Sequence, residues 1–404
     1  MSKNILVLTY FSFTDALIQT YTLPYVRIIR KEIPKFSTLT LFTIEKKNLS
    51  IDREERAKIK KKLADEGIKW MYINYEPFGV KAFLRWIVVV PHLLIYTWRN
   101  RIDFIHCWAT AAGAIGFWIS LFSGSHLVID SYEPHAEAMV ENGTWKRRGW
   151  AFRILFMLEK WQSKHAYAVI AATSSMKEYS FEKYKTSFDR FFVKPACVNL
   201  KMFSLQQKKD GSLIKQLELT NKIVCVYAGK FGGIYQKQEV FEFLKVADDY
   251  WKPVFRVILL TSHTDREINE MCKVAGLDEN IIIRKFVSHQ EVPSYMGLAD
   301  FGITPVKPTA TKRHCTPIKD GEYWALGLPI VIPANISDDS YIIAQHNAGA
   351  ILNSFSTEDY SSAVKKIDSL LQEPSAELFL RIRSIAEKYR NFKLAEDVYH
   401  RLYN

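Results

Sequence analysis

Strand-length apolar runs alternate with helix-length amphipathic stretches along almost the whole chain, and that rhythm restricts its fold more than any other feature. The runs NILVLTY (4–10), STLTLFTI (37–44), KWMYINY (69–75), DFIHCW (103–108), HLVID (126–130), AVIAAT (168–173) and FFVKPA (191–196) open the series. Segments such as DALIQTYTLPYVRIIRKE and DREERAKIKKKLADEG lie between them. A helix between successive strands predicts parallel pairing, with the sheet covered by helices. After a polar stretch at 199–221 the pattern restarts with KIVCVYAG (222–229), VFRVILLTS (254–262), NIIIRKF (280–286), FGITPV (301–306) and PIVIP (329–333). A chain of 404 residues also exceeds one hydrophobic core. The expectation is α/β, with two Rossmann-like domains at 1–198 and 222–385, a linker at 199–221 and a terminal helical segment at 386–404. Open parallel sheets bind ligands beyond the carboxyl ends of their strands, so two such sheets are expected to face across a cleft.

Charge separates the halves. Residues 1–200 carry 29 Lys and Arg against 18 Asp and Glu; residues 201–404 carry 26 against 25. An excess confined to one half points to an anionic membrane surface or a polyanion. The five cysteines form no CxxC, which speaks against zinc and a disulfide framework and favours a reducing cytoplasm. MSKNILVLTYFSF has too short an apolar run for a signal peptide. The stretch at 104–122 is long enough to span a membrane, but His106, Gly113 and Gly116 favour a buried strand and helix. A Pro91–His92 break in the preceding helix at 86–98 favours the same reading. GTWKRRGWAFRILFMLEKW (143–161) interleaves cations with aromatics, which suits a lipid headgroup layer; a domain helix with a solvated basic face is the plainer alternative.

Two loops of the second half carry candidate chemistry. In YAGKFGGIYQKQ (227–238), Gly229, Lys230, Gly232 and Gly233 follow a strand and open a helix near Gln236. Backbone amides freed by glycine at a helix start hold phosphate oxygens, although an ordinary βα turn uses the same residues. In HCTPIKDGEYWALGLPIVI (314–332), Thr316 suits an N-cap, Pro317 the first helical position, and Gly327 the helix end. Lys312, Arg313, His314 and Lys319 crowd a helix end that is already positive, which costs roughly 0.3–1 kcal/mol each unless an anion sits there. Glu322 shares a face with Lys319, as a plain surface ion pair or as an acceptor for sugar hydroxyls.

These segments resemble the retaining GT-B glycosyltransferases of the large bacterial family 4 type. The match rests on the YAGKFGG loop, EVPSYMGLADFGITPVKP (291–308), TPIKDGEYWALGLPIVI and the IIAQHNAGAIL run. In the first half, HAYAVIAATSSMKEYSFEKY and FFVKPACVNLKMF resemble the crossing between that family's domains. The resemblance implies a GT-B fold whose C-terminal helix packs back on the first domain, and a nucleoside-diphosphate sugar held by the second domain. It implies Lys230 and Lys237 on the diphosphate, Glu322 on the donor ribose, and His314, Cys315 and Thr316 along the sugar and diphosphate. Phe286 and Val287 would lie where the base packs. The family's first acidic residue, eight positions before Glu322, is replaced here by His314. His135 and Glu133 fall where the family faces the donor sugar from the acceptor side; helix capping is their ordinary alternative.

The implied activity is hexosyl or N-acetylhexosaminyl transfer, with retention, to a glycan or lipid-linked acceptor of surface-polysaccharide biosynthesis at the cytoplasmic membrane face. No cofactor and no metal is expected, since no DxD-like pair stands in the relevant loop. A sugar-nucleotide epimerase of the same fold and a non-enzymatic binder of nucleic acid or anionic surfaces remain as alternatives. Scattered charge and the lack of an RRM, KH or helix-turn-helix signature speak against nucleic acid.

Overall fold

The computed structural model describes residues 3–46, 49, 51–76 and 80–404. The chain divides into two compact units, Met1–Lys194 with Lys393–Asn404, and Pro195–Phe392. In the first, seven strands among the described residues form one parallel sheet: β1 (Ile5–Leu8), β2 (Leu39–Glu45), β3 (Ile68–Asn74), β4 (Phe104–Trp108), β5 (His126–Tyr132), β6 (Ala168–Ala171) and β7 (Phe191–Val193). Their order is β3-β2-β1-β4-β5-β6-β7. β1 is flanked on both sides, Ile5 standing opposite Leu39 and Phe104, so its residues are buried and apolar without alternation.

The apolar stretch at 104–122 forms β4 and the helix Ala109–Ser123. Gly116 lets that helix lie directly on the strand, because a Cβ there would come within 2.1 Å of Cys107 Sγ. No described helix is long and apolar enough to cross a membrane. One expectation fails here: the helix Val80–Arg99 runs straight through Pro91 instead of breaking. Pro91 and Ile87, whose carbonyl loses its amide partner, both lie on the exposed side, where the unpaired carbonyl is open to solvent.

The last helix, Lys393–Tyr403, packs back on the first unit against the helix Leu23–Glu32, as the sequence leads one to expect. Tyr399 Oη donates to buried Asp130 at 2.7 Å, and Lys194 Nζ lies 3.1 Å from the same carboxylate. Lys194 and the His106 and Tyr399 hydrogen bonds outweigh burial and hold the Asp130 carboxyl down at about 2.

The second unit has a six-stranded parallel sheet: β8 (Ile223–Ala228), β9 (Phe255–Leu260), β10 (Ile282–Lys285), β11 (Phe301–Ile303), β12 (Ile330–Pro333) and β13 (Gly349–Leu352). The order is β10-β9-β8-β11-β12-β13, so the winding reverses between β8 and β11. β13 is not among the strand runs read from sequence; its four residues begin at a glycine and follow directly on the turn after the helix Asp339–Gln345. Residues 199–221, expected to be a linker, lie inside this unit. Phe203 and Leu219 are buried in its core, and the helix Gly211–Gln216 is capped by Asp210. The expected terminal segment at 386–404 is also divided, because residues up to Phe392 stay with the second unit.

Candidate functional site

The glycine loop leaves β8 and the cation-rich loop leaves β11, neighbouring strands at the reversal point. Loops from such a pair diverge and leave room for a ligand between them. Backbone bonds tie the two loops together beneath that opening: Gln236 N–H donates to Pro305 O at 2.7 Å, and Lys307 N–H to Ile234 O at 3.0 Å.

Gly229 has an extended φ near +158°, whereas Gly232 and Gly233 sit at +86° and +63°, where other residues are strained. A Cβ at either of these two would meet nothing within 4 Å, and their amides have no protein acceptor among the described residues. The flanks are pinned. Tyr227 Oη donates to Lys230 O at 2.7 Å, and Phe231 N–H donates to His263 Nε2 at 3.1 Å. The loop thus presents two free donors on a fixed backbone, with the exposed Lys230 side chain beside them. The helix starts at Gln238, two residues later than expected, because Gln236 is bound to Pro305. Lys237 occupies the N-cap position with its side chain exposed.

In the second loop Lys312, Arg313 and His314 lie in a 3-10 turn, Ala310–His314, and His314 is buried. Cys315 is half-buried and directs its thiol to Thr311 O. Thr316 is not the helix cap. Its hydroxyl accepts from Ala196 N–H at 2.8 Å instead, so Pro317 becomes the N-cap and the helix runs Ile318–Ala325. No side chain caps it, which leaves first-turn amides and the positive end of the dipole to another partner.

Lys319 Nζ is 3.2 Å from Glu322 Oε2. Glu322 is buried, and apart from this poorly aligned ion-pair contact that oxygen makes no hydrogen bond among the described residues. A buried carboxylate oxygen met only by a misaligned cation keeps a capacity for a ligand hydroxyl. Asp320, also in the first turn, does not answer the dipole. Burial and the neighbouring Asp339 charge push its carboxyl well up, while Thr304 Oγ1 donates to it. Asp339 is ion-paired with buried Arg390, whose guanidinium lies 5.2 Å from the centre of the Trp324 ring.

Phe286 follows β10 and is 77% exposed, available as a stacking face; Val287 packs against the core. The same segment brings in His289, which the sequence does not single out. Protein crowding around its ring lowers its pKa although its surface stays exposed, Lys319 adding to the effect and Glu322 opposing it. Only a spacing between loops of different strands would have revealed it. The second-unit candidates thus gather on loops from three strands.

His135 and Glu133 belong to the first unit. His135 Nδ1 is 3.5 Å from Glu133 Oε1, and both side chains are about one-third exposed. Beneath them Glu159 accepts from Ala136 N–H at 2.8 Å and from Tyr184 Oη at 2.9 Å, buttressing the short helix His135–Glu141. Glu159 is a second residue that the linear pattern does not reveal.

By sequence, no family profile matches the chain and no curated protein does. By structure, the chain is similar to sucrose-phosphate synthase from Thermosynechococcus elongatus, at 15% identity and a TM-score of 0.71, covering 100% of this chain and 98% of that one. It is similar to Anabaena HepE, solved in complex with UDP, at 14% identity and a TM-score of 0.71, covering 99% of both. It is also similar to WaaG, a glycosyltransferase involved in lipopolysaccharide biosynthesis, at 13% identity and a TM-score of 0.66, covering 98% of both. The fold is GT-B.

Proposed function

We propose that this chain is a glycosyltransferase of the retaining, family 4 type, moving a hexosyl or N-acetylhexosaminyl group from a nucleoside-diphosphate sugar. The acceptor is a glycan or lipid-linked molecule of surface-polysaccharide biosynthesis, met by a cytoplasmic enzyme at the inner membrane face. One observation carries this reading: two loops of neighbouring strands at the sheet's reversal point offer free glycine amides, an uncapped helix start and two lysines. That is a site for a compact anion such as a pyrophosphate. Glu322, whose oxygen faces Lys319 without a well-aligned hydrogen bond, is the acceptor for ribose hydroxyls. Support also comes from HepE, which has the same fold and is solved with UDP and with UDP-glucose.

Catalysis in this reading rests on stabilising the departing diphosphate with Lys230, Lys319 and the helix dipole, so that charge developing at the leaving oxygen is met by fixed positive groups. The acceptor hydroxyl attacks from the leaving-group face. His135 and Glu133 serve the acceptor side, and no metal takes part.

The test is thermal shift with UDP-, GDP- and ADP-sugars, followed by transfer and hydrolysis assays on the best binder and NMR of the product's anomeric centre. Lys230→Ala or Glu322→Ala should abolish measurable donor binding while the melting temperature of the free protein stays close to the parent. Full activity in either variant, or no stabilisation by any nucleotide sugar, refutes the site. Activity unchanged in EDTA is expected. Conversion of the donor alone, without acceptor, would select an epimerase.

A further inference from the structure

Eleven of the 21 large apolar side chains exposed among the described residues lie on three helices of the first unit, Val80–Arg99, Ala109–Ser123 and Trp150–His165. They include all four exposed tryptophans, Trp98, Trp118, Trp150 and Trp161. The middle helix packs against both of the others. Trp118 meets Trp161 edge to face at 6.2 Å and stacks with Phe122 at 6.3 Å, so these three rings are contiguous across two of the helices. Exposed apolar positions recur at helical spacing, 118, 121 and 122 on one helix and 150, 154, 157 and 161 on the next. These two helices therefore each turn an apolar stripe outward, and on the second of them the buried positions are the polar Glu159, Gln162 and Ser163, so its apolar side chains are the ones left facing out. Soluble surfaces scatter such side chains singly; a patch of this kind marks a binding face.

The charges on the same helices have one sign. The first two carry no acidic residue, and the only acid of the third, Glu159, is buried. Arg99, Arg153 and Lys164 are exposed on them, and Lys146 and Arg148 are exposed just before the third. The Arg153 guanidinium sits 5.9 Å from the Trp150 ring centre, pairing a cation with an amphipathic aromatic. A second copy of this chain does not suit the face, because a two-fold contact sets like charges against each other. Aromatic and aliphatic side chains framed by cations match the boundary layer of a bilayer, where rings sit at headgroup depth and cations meet lipid phosphates.

We propose that this three-helix face rests on the surface of an anionic phospholipid bilayer. The proposal gives the membrane placement above a specific surface and is independent of the donor site, so loss of one leaves the other standing. Its test is co-sedimentation of the full chain with vesicles of phosphatidylcholine and of phosphatidylcholine with about one-third phosphatidylglycerol at ~0.1 M salt. Partitioning should favour the anionic vesicles by about tenfold or more and weaken as salt rises. Two double variants, Arg148→Glu with Arg153→Glu and Phe122→Ser with Trp150→Ser, should each cut that partitioning about tenfold or more. Both sets are exposed, so melting temperature and nucleotide-sugar stabilisation should stay at parent values. Equal or absent binding to the two vesicle types overturns the proposal, as does full binding by both variants. Light scattering that shows a dimer dissolved by Phe122→Ser with Trp150→Ser overturns it in favour of self-association. Displacement from vesicles by random-sequence DNA at matching affinity overturns it in favour of a polyanion site.

Discussion

Glu159 lies buried on the helix Trp150–His165, and its protonation follows from that burial. Desolvation pushes its carboxyl up to about 7, against the Ala136 and Tyr184 hydrogen bonds and the charge of His135, while the Glu133 charge adds a small upward push. An unfolded glutamate titrates near pH 4.3, so between about pH 4.3 and 7 the folded chain keeps a proton that the unfolded chain has released. Stability from this group is therefore largest at low pH, falls as pH rises through that window, and levels off above about 7. The full fall is about 3–4 kcal/mol by linkage. Glu159→Gln keeps an acceptor for the Ala136 amide and removes the titration. Urea unfolding at pH 5 and pH 8 should show the variant gaining on the parent by a large part of that amount at the higher pH. Parallel curves at both pH values would mean that Glu159 is charged throughout. Because Ala136 adjoins His135, the activity profile of the parent should also carry an inflection near pH 7 that the variant shifts or loses.

At the scale of elements, packing in the first unit depends on small residues where helices press onto strands. A Cβ at Gly116 would lie 2.1 Å from Cys107 Sγ and 3.2 Å from Ile105 Cγ2, both on β4 and unable to retreat. Gly116→Ala should cost about 1–3 kcal/mol through overpacking, read as a lower urea midpoint with an unchanged slope. Much of this level was legible in the chain. Twelve of the thirteen strands among the described residues follow from apolar runs, and Gly113 and Gly116 marked the 104–122 stretch as strand and helix. β13 was missed because four residues opening on glycine carry too little periodicity. The cap at Thr316 was misassigned because its hydroxyl bonds to Ala196, a partner 120 positions away that no local pattern contains. His289 and Glu159 escaped for the same reason: their neighbours are set by sheet order and helix packing. The glycine loop and the Lys319–Glu322 pair were visible because both are local in sequence.

At the scale of the molecule, the second unit is one continuous segment, Pro195–Phe392, inserted into a first unit whose chain is interrupted. The first unit is completed only by Lys393–Asn404, whose Tyr399 and Tyr403 reach the buried group around Asp130. Tyr403 Oη lies 2.5 Å from His106 Nδ1, and His106 Nε2 lies 3.2 Å from Asp130. This asymmetry separates the fates of two fragments. Residues 195–392 retain both faces of their sheet, including the core around Trp324 and the cluster around Phe241 and Ile367. Expressed alone they should unfold in a single cooperative transition and bind the donor nucleotide within about tenfold of the full chain. Residues 1–194 alone lose Tyr399, the hydroxyl donor to Asp130, and uncover a Lys–Asp pair built for a dry environment. The fragment also loses the fully buried rings of Tyr399 and Tyr403, and removing a large buried aromatic costs about 3–5 kcal/mol, comparable to the whole stability of a domain. That fragment should lack a cooperative melt and bind a hydrophobic dye, and a linker that restores residues 393–404 in place of the second unit should recover the transition. A stable, cooperative 1–194 fragment would mean that the last helix is an accessory and not part of the first unit's core.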